Sequence, residues 1–137
     1  MERRVRGNSH ARCGVGENLE MASKDYLSLL FEKITNYEEL SVSFGGKNYR
    51  LALMHYPILF WNGQHRGTIL LYAHTHNSAE DTYFQKCITE INASEELSLR
   101  RQGGQKIVAI NTGCMKEYMG YEPRSLQELL EGMGKPG

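Results

Sequence analysis

The chain has 137 residues, of which 40% are hydrophobic and 23% charged, a composition typical of one soluble globular domain. Its 16 Lys and Arg residues balance its 16 Asp and Glu residues, so the strong positive field that drives general nucleic-acid binding is missing. No apolar run approaches the roughly 20 residues of a membrane helix, and no apolar signal segment follows the basic N-terminus. The 3 widely spaced cysteines favour a reduced, cytoplasmic location.

The first part of the chain is expected to be irregular. Residues 1–22 are rich in Arg, Gly and Asn and contain few apolar side chains. Ser23 is a suitable N-cap, and the apolar residues after it follow helical spacing, which predicts a helix. The members of this stripe are Tyr26, Leu27, Leu30, Phe31 and Ile34. We therefore expect an irregular segment over 1–22, a domain over 23–132 and a tail over 133–137.

A β-hairpin is predicted next. Apolar residues alternate with serines over residues 40–44, as in a half-buried strand. Gly45 and Gly46 are typical of a tight turn, because glycine accepts positive φ. The return strand over 49–54 should end before Pro57, whose ring fixes φ and restricts the preceding residue.

Strands alternate with helices in the second half of the predicted fold. Residues 67–73 and 106–111 are apolar runs typical of buried strands. Ser78 precedes Asp81 by three positions, which marks a helix start, and Ser125 with Glu128 forms a capping box before a last helix that Gly132 is placed to end. The order helix, hairpin, strand, helix, strand, helix predicts an α/β fold with a mixed sheet flanked by helices.

Three histidines lie at the ends of predicted strands. His55 follows the hairpin, while His74 and His76 follow the central strand, where α/β sheets usually place ligands. On extended backbone, residues i and i+2 point to the same side, so these two imidazoles should project together. Neutral imidazole is a common ligand of transition metals. The pattern is compatible with a metal site. The alternatives are a chance pair in a polar loop for His74 and His76 and a hydrogen-bonded residue before a proline turn for His55.

Several further motifs surround these histidines between about residue 33 and residue 131. They are His55-Tyr56-Pro57-Ile58, Trp61-Asn62, His65-Arg66-Gly67, Leu71-Tyr72-Ala73-His74-Thr75-His76, Asn111-Thr112-Gly113 and Gly120-Tyr121-x-Pro123-x-Ser125-Leu126. Together they resemble the calcineurin-like metallophosphoesterase superfamily, in particular its small bacterial and phage branch. The resemblance implies a partial calcineurin-like phosphoesterase fold, the C-terminal half of the domain with the N-terminal half missing.

The resemblance also implies hydrolysis of a phosphate ester at a two-metal site. By position, His55 and His74 would bind the second metal and His76 the first. The cofactors would be divalent Mn, Fe, Zn or Ni ions. Members of the family bind two such ions, and this chain, which has fewer ligands, would bind two or one. His65 and Arg66 would contact the phosphate of the substrate, and a purely structural loop is the alternative for both.

The sequence departs from the family pattern in its carboxylates. The Asp-x-His and Gly-Asp motifs are absent, and the only aspartates are Asp25 and Asp81. The segment Gly7-Asn8-Ser9-His10 matches the Gly-Asn-His-Asp motif only in part. Asn8 is carried over as a metal ligand and His10 as the catalytic group that protonates the leaving group, with an irregular terminus as the alternative. Without a bridging carboxylate two close cations repel each other, which favours one metal held by three imidazoles.

The expected function is therefore that of a metal-dependent phosphoesterase, truncated and with weak or no activity alone. Its partner would be a phosphate-ester substrate, and neither a membrane nor a nucleic acid is indicated. The alternative is a non-catalytic binding or assembly module that retains the metal site. Such a module would self-associate or pair with the missing N-terminal half. A third reading is a mononuclear metal-binding protein without phosphate chemistry.

Overall fold

A four-stranded mixed sheet organises the protein in the computed structural model, which describes residues 30–133. The strand order is β1-β2-β3-β4, with β1 antiparallel to β2 and the other two neighbouring pairs parallel. The strands are β1 (Tyr37–Phe44), β2 (Lys47–Met54), β3 (Ile69–Tyr72) and β4 (Ala109–Asn111). The chain divides into two units, Met1–Asn36 and Tyr37–Gly137, and the whole sheet lies in the second. The predicted α/β class with a mixed sheet is confirmed.

The hairpin of β1 and β2 forms where the alternation of apolar and polar residues predicted it. Gly45 and Gly46 make the turn with φ values of 56° and 74°, which residues with a Cβ rarely adopt. The register pairs Phe44 with Lys47 and Tyr37 with Met54. β1 begins at Tyr37, three residues before the predicted alternation, so the hairpin is longer than expected.

Helices connect and flank the strands. The long helix α1 (Ala79–Ala93) starts at Ser78, whose hydroxyl accepts from the backbone N–H of Asp81, as the sequence predicted. The other helical segments are α2 (Glu95–Ser98), α3 (Leu126–Glu128), the π-helical turn Leu129–Met133 and the 3-10 turns Gln64–Arg66, Gln102–Gly104 and Glu117–Met119. The predicted capping box of Ser125 and Glu128 is present. The last helical turn runs on through Met133 instead of ending at Gly132.

Apolar residues cover both faces of the sheet because side chains alternate along each strand. One face packs against α1 and the other against the C-terminal helical segments. The first cluster contains Ala52, Trp61, Leu70, Tyr72, Phe84, Ile88, Ile91, Ile107 and Ala109. The second contains Leu51, Ile69, Ile110, Met119 and Leu129. The carboxyl ends of β2, β3 and β4 therefore meet at one sheet edge, between two packed layers.

Some predicted boundaries are wrong. The expected helix after Ser23 does not extend over residues 31–36, which are not helical, and residues 23–29 lie outside the described residues. β-Branched Ile34 and Thr35, followed by Asn36, have low helix propensity. In the described range no helix is both long and apolar enough to cross a membrane. Cys87 and Cys114 are free thiols, and Cys13 lies outside that range.

Candidate functional site

Two of the predicted site histidines meet at the carboxyl end of the sheet. The backbone N–H groups of Ala73 and His74 both donate to the carbonyl of His55, at 3.1 and 2.9 Å, so the end of β2 is tied to the end of β3. The side chains follow this backbone contact. His74 Nδ1 lies 3.2 Å from His55 Nε2, and the ring centroids are 5.1 Å apart. Strand-end reasoning therefore located the pair correctly.

Tyr56 completes a small aromatic cluster with the two imidazoles. Its ring centroid lies 5.0 Å from that of His55, edge to face, and 4.4 Å from that of His74. The Tyr56 side chain is 41% exposed, and His55 is exposed as well. The pair thus packs against Tyr56, with His55 exposed to solvent and His74 half-buried.

His76 does not follow the extended geometry on which its prediction depended. Residues 74–77 form a turn, in which His76 adopts a φ of 48° and its N–H donates to the carbonyl of Ala73 at 3.1 Å. The i and i+2 rule applies to strands only, so it gives no reason here for His74 and His76 to point the same way. Within residues 30–133 no three or more His, Cys, Asp or Glu side chains are arranged to hold a metal ion. His76 therefore does not join His55 and His74 in a three-ligand cluster.

A buried polar network lies directly behind the histidine turn, centred on Asp81. This carboxylate is fully buried, and its oxygen Oδ1 accepts three hydrogen bonds from neutral donors. The donors are Tyr72 Oη at 2.6 Å, Thr75 Oγ1 at 3.0 Å and Asn111 Nδ2 at 2.9 Å. The other oxygen, Oδ2, lies 2.5 Å from Lys116 Nζ, and the lysine side chain is only 18% exposed. The network joins the ends of β3 and β4, the start of α1 and the segment after β4.

The surroundings of Asp81 keep it ionised. Burial alone would raise the pKa of this carboxyl group, because a low-dielectric environment disfavours charge. The hydrogen bonds donated by Lys116, Tyr72, Asn111 and Thr75 outweigh burial and lower the pKa below its usual range. A buried carboxylate at neutral pH is thus compensated by one half-buried cation and three neutral donors.

The negative charge of Asp81 also acts on the buried Tyr72 and the half-buried Tyr118. Burial, followed by the hydrogen bond to Asp81, raises the pKa of Tyr72 far above its usual value. Burial and the negative charge of Asp81 also raise the pKa of Tyr118 to about 12. The Tyr118 hydroxyl donates to the carbonyl of Asn111 at 2.6 Å. Both phenols are therefore neutral donors and fix the ends of β3 and β4.

The network positions the backbone of the histidine turn. Thr75, the residue between His74 and His76, is buried and donates to Asp81. Asn111 Nδ2 also donates to the carbonyl of His76 at 2.9 Å, while its Oδ1 accepts from the N–H of Gly113 at 2.9 Å. The unusual φ of His76 is held by contacts from β4 and α1 rather than by local preference.

The separation of the His55 and His74 ring nitrogens is compatible with two different arrangements. Two imidazole nitrogens bound at about 2.0–2.1 Å and separated by 3.2 Å subtend an angle of about 100° at the metal, near the tetrahedral value. The same separation also suits an N–H···N hydrogen bond between one protonated and one unprotonated ring nitrogen. A catalytic zinc site generally has three protein ligands, so the pair supplies part of such a site.

The remaining predicted site residues lie elsewhere or outside the described range. His65 and Arg66 lie in the 3-10 turn before β3, whereas His74 follows the other end of that strand. Asn8 and His10 fall outside the described residues, so the structure says nothing of their predicted roles.

Sequence reasoning missed the residues that support the turn. Asp81 was interpreted only as part of a helix-start signal, and Lys116 was not considered. One signal was present: Thr75 and Asn111 are polar residues next to apolar strands, where a buried hydrogen-bonding partner is required.

Comparisons with protein-family models, curated proteins and solved structures find no significant match for this chain.

Proposed function

We propose that this chain contributes part of a metal-dependent phosphoester hydrolase with a calcineurin-like fold, in which His55 and His74 bind one divalent cation. The observation that carries the proposal is the 3.2 Å separation of their ring nitrogens at the carboxyl end of two neighbouring parallel strands. The resemblance of the surrounding motifs to the metallophosphoesterase superfamily supports the reaction class.

The chain's own residues would hold and orient the metal ligands. The carbonyl of His55 receives two backbone N–H groups from the end of β3, which fixes the spacing of the two imidazoles. Tyr56 packs against both rings and limits their rotation. A bound divalent cation would supply Lewis-acid polarisation of a phosphoryl oxygen and a hydroxide nucleophile near neutral pH. Further ligands would come from solvent, from substrate or from residues outside 30–133.

Metal binding tests the proposal first. Titration of the protein with Zn²⁺ or Mn²⁺ by calorimetry should give saturable binding that falls about tenfold or more in His55→Ala and His74→Ala. His65→Ala is the matched control, because it removes an exposed imidazole from the other end of β3. Unchanged affinity in both site variants would remove the proposed ligands.

Hydrolysis of a model phosphodiester with added Mn²⁺ tests the reaction itself. The wild type should release product above the rate of metal alone, and His74→Ala should return the rate to that baseline while His65→Ala retains it. A rate that is equal in wild type and His74→Ala would refute the catalytic assignment.

A second candidate function is a non-catalytic binding or assembly module with a remnant metal site. It is favoured by the lack of a three-ligand cluster anywhere in the described part of the chain. Saturable metal binding without phosphodiester hydrolysis, together with self-association in sedimentation experiments, would select this candidate over the first.

A further inference from the structure

A concave site lies beside the hairpin and the segment that precedes β3. It is a polar groove of about 270 Å³ between β1, β2 and the loop that precedes β3. Its polar lining comes from Glu39, Ser41, Arg50, Asn62, Arg66 and Thr68. Most pockets for drug-sized ligands hold about 300–1,000 Å³, so this groove suits a small polar molecule.

The strand register explains why these side chains share one face. Ser41 pairs with Arg50 and Glu39 with Ala52, so all four residues lie on the same side of the hairpin. Ala52 belongs to the buried cluster that includes Trp61. The loop that begins at Trp61 therefore closes over the face that carries Arg50 and brings Arg66 to the same groove.

The groove has an excess of positive charge. Neither Arg50 nor Arg66 forms a salt bridge or a side-chain hydrogen bond with any residue that the structure describes. Glu39 is the acidic residue in the lining, and its carboxylate is already engaged by Tyr37 Oη at 2.9 Å and by Asn62 Nδ2 at 3.2 Å. Two guanidinium groups without partners next to one occupied carboxylate favour an anionic ligand.

The hydroxyl of Thr68 is a further hydrogen-bonding group in the lining of the groove. Thr68 is only 5% exposed and lines the groove, yet its Oγ1 has no hydrogen-bond partner in the described range. Its backbone is fully used, since its N–H donates to Gly63 and its carbonyl accepts from Trp61 Nε1 at 2.7 Å. The Thr68 hydroxyl is not itself buried away from solvent, so it can contact a molecule bound in the groove.

We propose that this groove binds a small phosphomonoester, with its phosphate contacted by Arg50, Arg66 and the hydroxyl of Thr68. Tetrahedral phosphate presents acceptor oxygens in several directions and suits donors from two strands and a loop, whereas planar carboxylate accepts in one plane. Glu39 at the groove and the zero formal charge of the chain disfavour a dense polyanion. Glu39 can still accept a hydrogen bond from a hydroxyl group of the ligand's organic part, because an ionised carboxylate has about four lone-pair sites.

The groove is separate from the histidine pair. Arg50 precedes His55 by five positions along β2 and its end, which is about 16 Å at 3.3 Å per residue. Binding in the groove therefore does not depend on the proposed metal site, and the two can be tested independently.

An NMR titration in metal-free buffer with chelator tests the groove. Ribose 5-phosphate is the main probe, inorganic phosphate and acetate are comparison ligands, and the amide signals of Gly63 and Thr68 report the location. We expect saturable shifts at those amides, with affinity reduced about tenfold or more in Arg50→Gln and in Arg66→Gln. The matched control Arg100→Gln removes an exposed arginine elsewhere and should bind like wild type.

Each remaining outcome decides the proposal. If His74→Ala still binds ribose 5-phosphate, the groove is a site distinct from the histidine pair. If His74→Ala loses this binding while Arg50→Gln and Arg66→Gln both retain it, the proposed groove site is refuted. If acetate binds as tightly as inorganic phosphate, the groove does not select phosphate. If inorganic phosphate binds more tightly than ribose 5-phosphate, the ligand is not a phosphomonoester. Shifts that do not saturate refute the site itself. Exposed Arg50 and Arg66 can be replaced without loss of packing, and circular dichroism confirms the fold of each variant.

Discussion

Replacing Asp81 with asparagine tests whether the buried network stabilises the fold through its charge. The substitution keeps the size of the side chain and one oxygen for Tyr72, Thr75 and Asn111. It places an NH₂ group against the ammonium of Lys116, where the carboxylate oxygen now lies at 2.5 Å. The variant therefore loses a charge-assisted contact and leaves a cation uncompensated in a site that is 18% exposed.

Removing one partner of a buried ion pair costs about 3–5 kcal/mol, and partial exposure of the lysine places the expected cost at the lower end, about 3 kcal/mol. With a urea m-value of about 1.5 kcal/mol/M, the unfolding midpoint should fall by about 2 M. Fluorescence of Trp61, the single tryptophan and a buried residue of the core, reports the transition. The double variant with Lys116→Met should cost less than the sum of the single changes, because no charge is then left unpaired.

The pH dependence supplies a second readout. Folding lowers the pKa of Asp81, so its contribution is complete above the unfolded value of 3.8 and is lost as pH falls through the folded value. The difference between wild type and Asp81→Asn should therefore shrink as the pH falls below 3.8. Lys86→Met, which removes an exposed pair with Glu90 at 3.8 Å, is the control and should cost about 0.5 kcal/mol or less. An Asp81→Asn protein within about 0.5 kcal/mol of wild type at pH 7 would refute the reasoning.

Three further predictions concern the loop, the long helix and alkaline stability. Gly63→Ala should lower the melting temperature, because Gly63 has a φ of 73° and a methyl group there would overlap the hydroxyl of Thr68; an unchanged melting temperature would contradict this. Ser78→Ala should lower the free energy of unfolding in urea by about 1 kcal/mol through loss of the N-cap of α1, and no change would show that the cap is dispensable. Folding raises the pKa of Tyr118 from 10.0 to about 12, so stability should fall as pH rises from 10 to 12; Tyr118→Phe should show a smaller fall, and an equal one would be inconsistent with this assignment.

Local signals explain what the sequence predicted correctly. The alternation over residues 40–44 and the two adjacent glycines specify the hairpin without help from distant contacts. The proximity of His55 and His74 follows from the rule that parallel strands present their carboxyl ends at one edge.

Long-range contacts explain what was missed. The turn at His76 depends on an amide from Asn111 in β4, and no local preference indicates that a non-glycine residue will adopt positive φ there. Asp81 likewise resembles an ordinary acidic residue in a first helical turn until Lys116 and Asn111 are placed beside it. Two of the residues that support the site, Asn111 and Lys116, are therefore distant in sequence from the histidines.

This separation along the chain has a consequence for the order of folding. The hairpin closes over two glycines, whereas Lys116 reaches Asp81 only after a loop of 35 positions has closed. Closing longer loops costs more entropy, and non-local contacts form later on average. The turn that carries His74 and His76 should thus be among the last parts of the molecule to acquire its final conformation, because its support from Asn111 and Lys116 is complete only once β4 and the residues after it have docked.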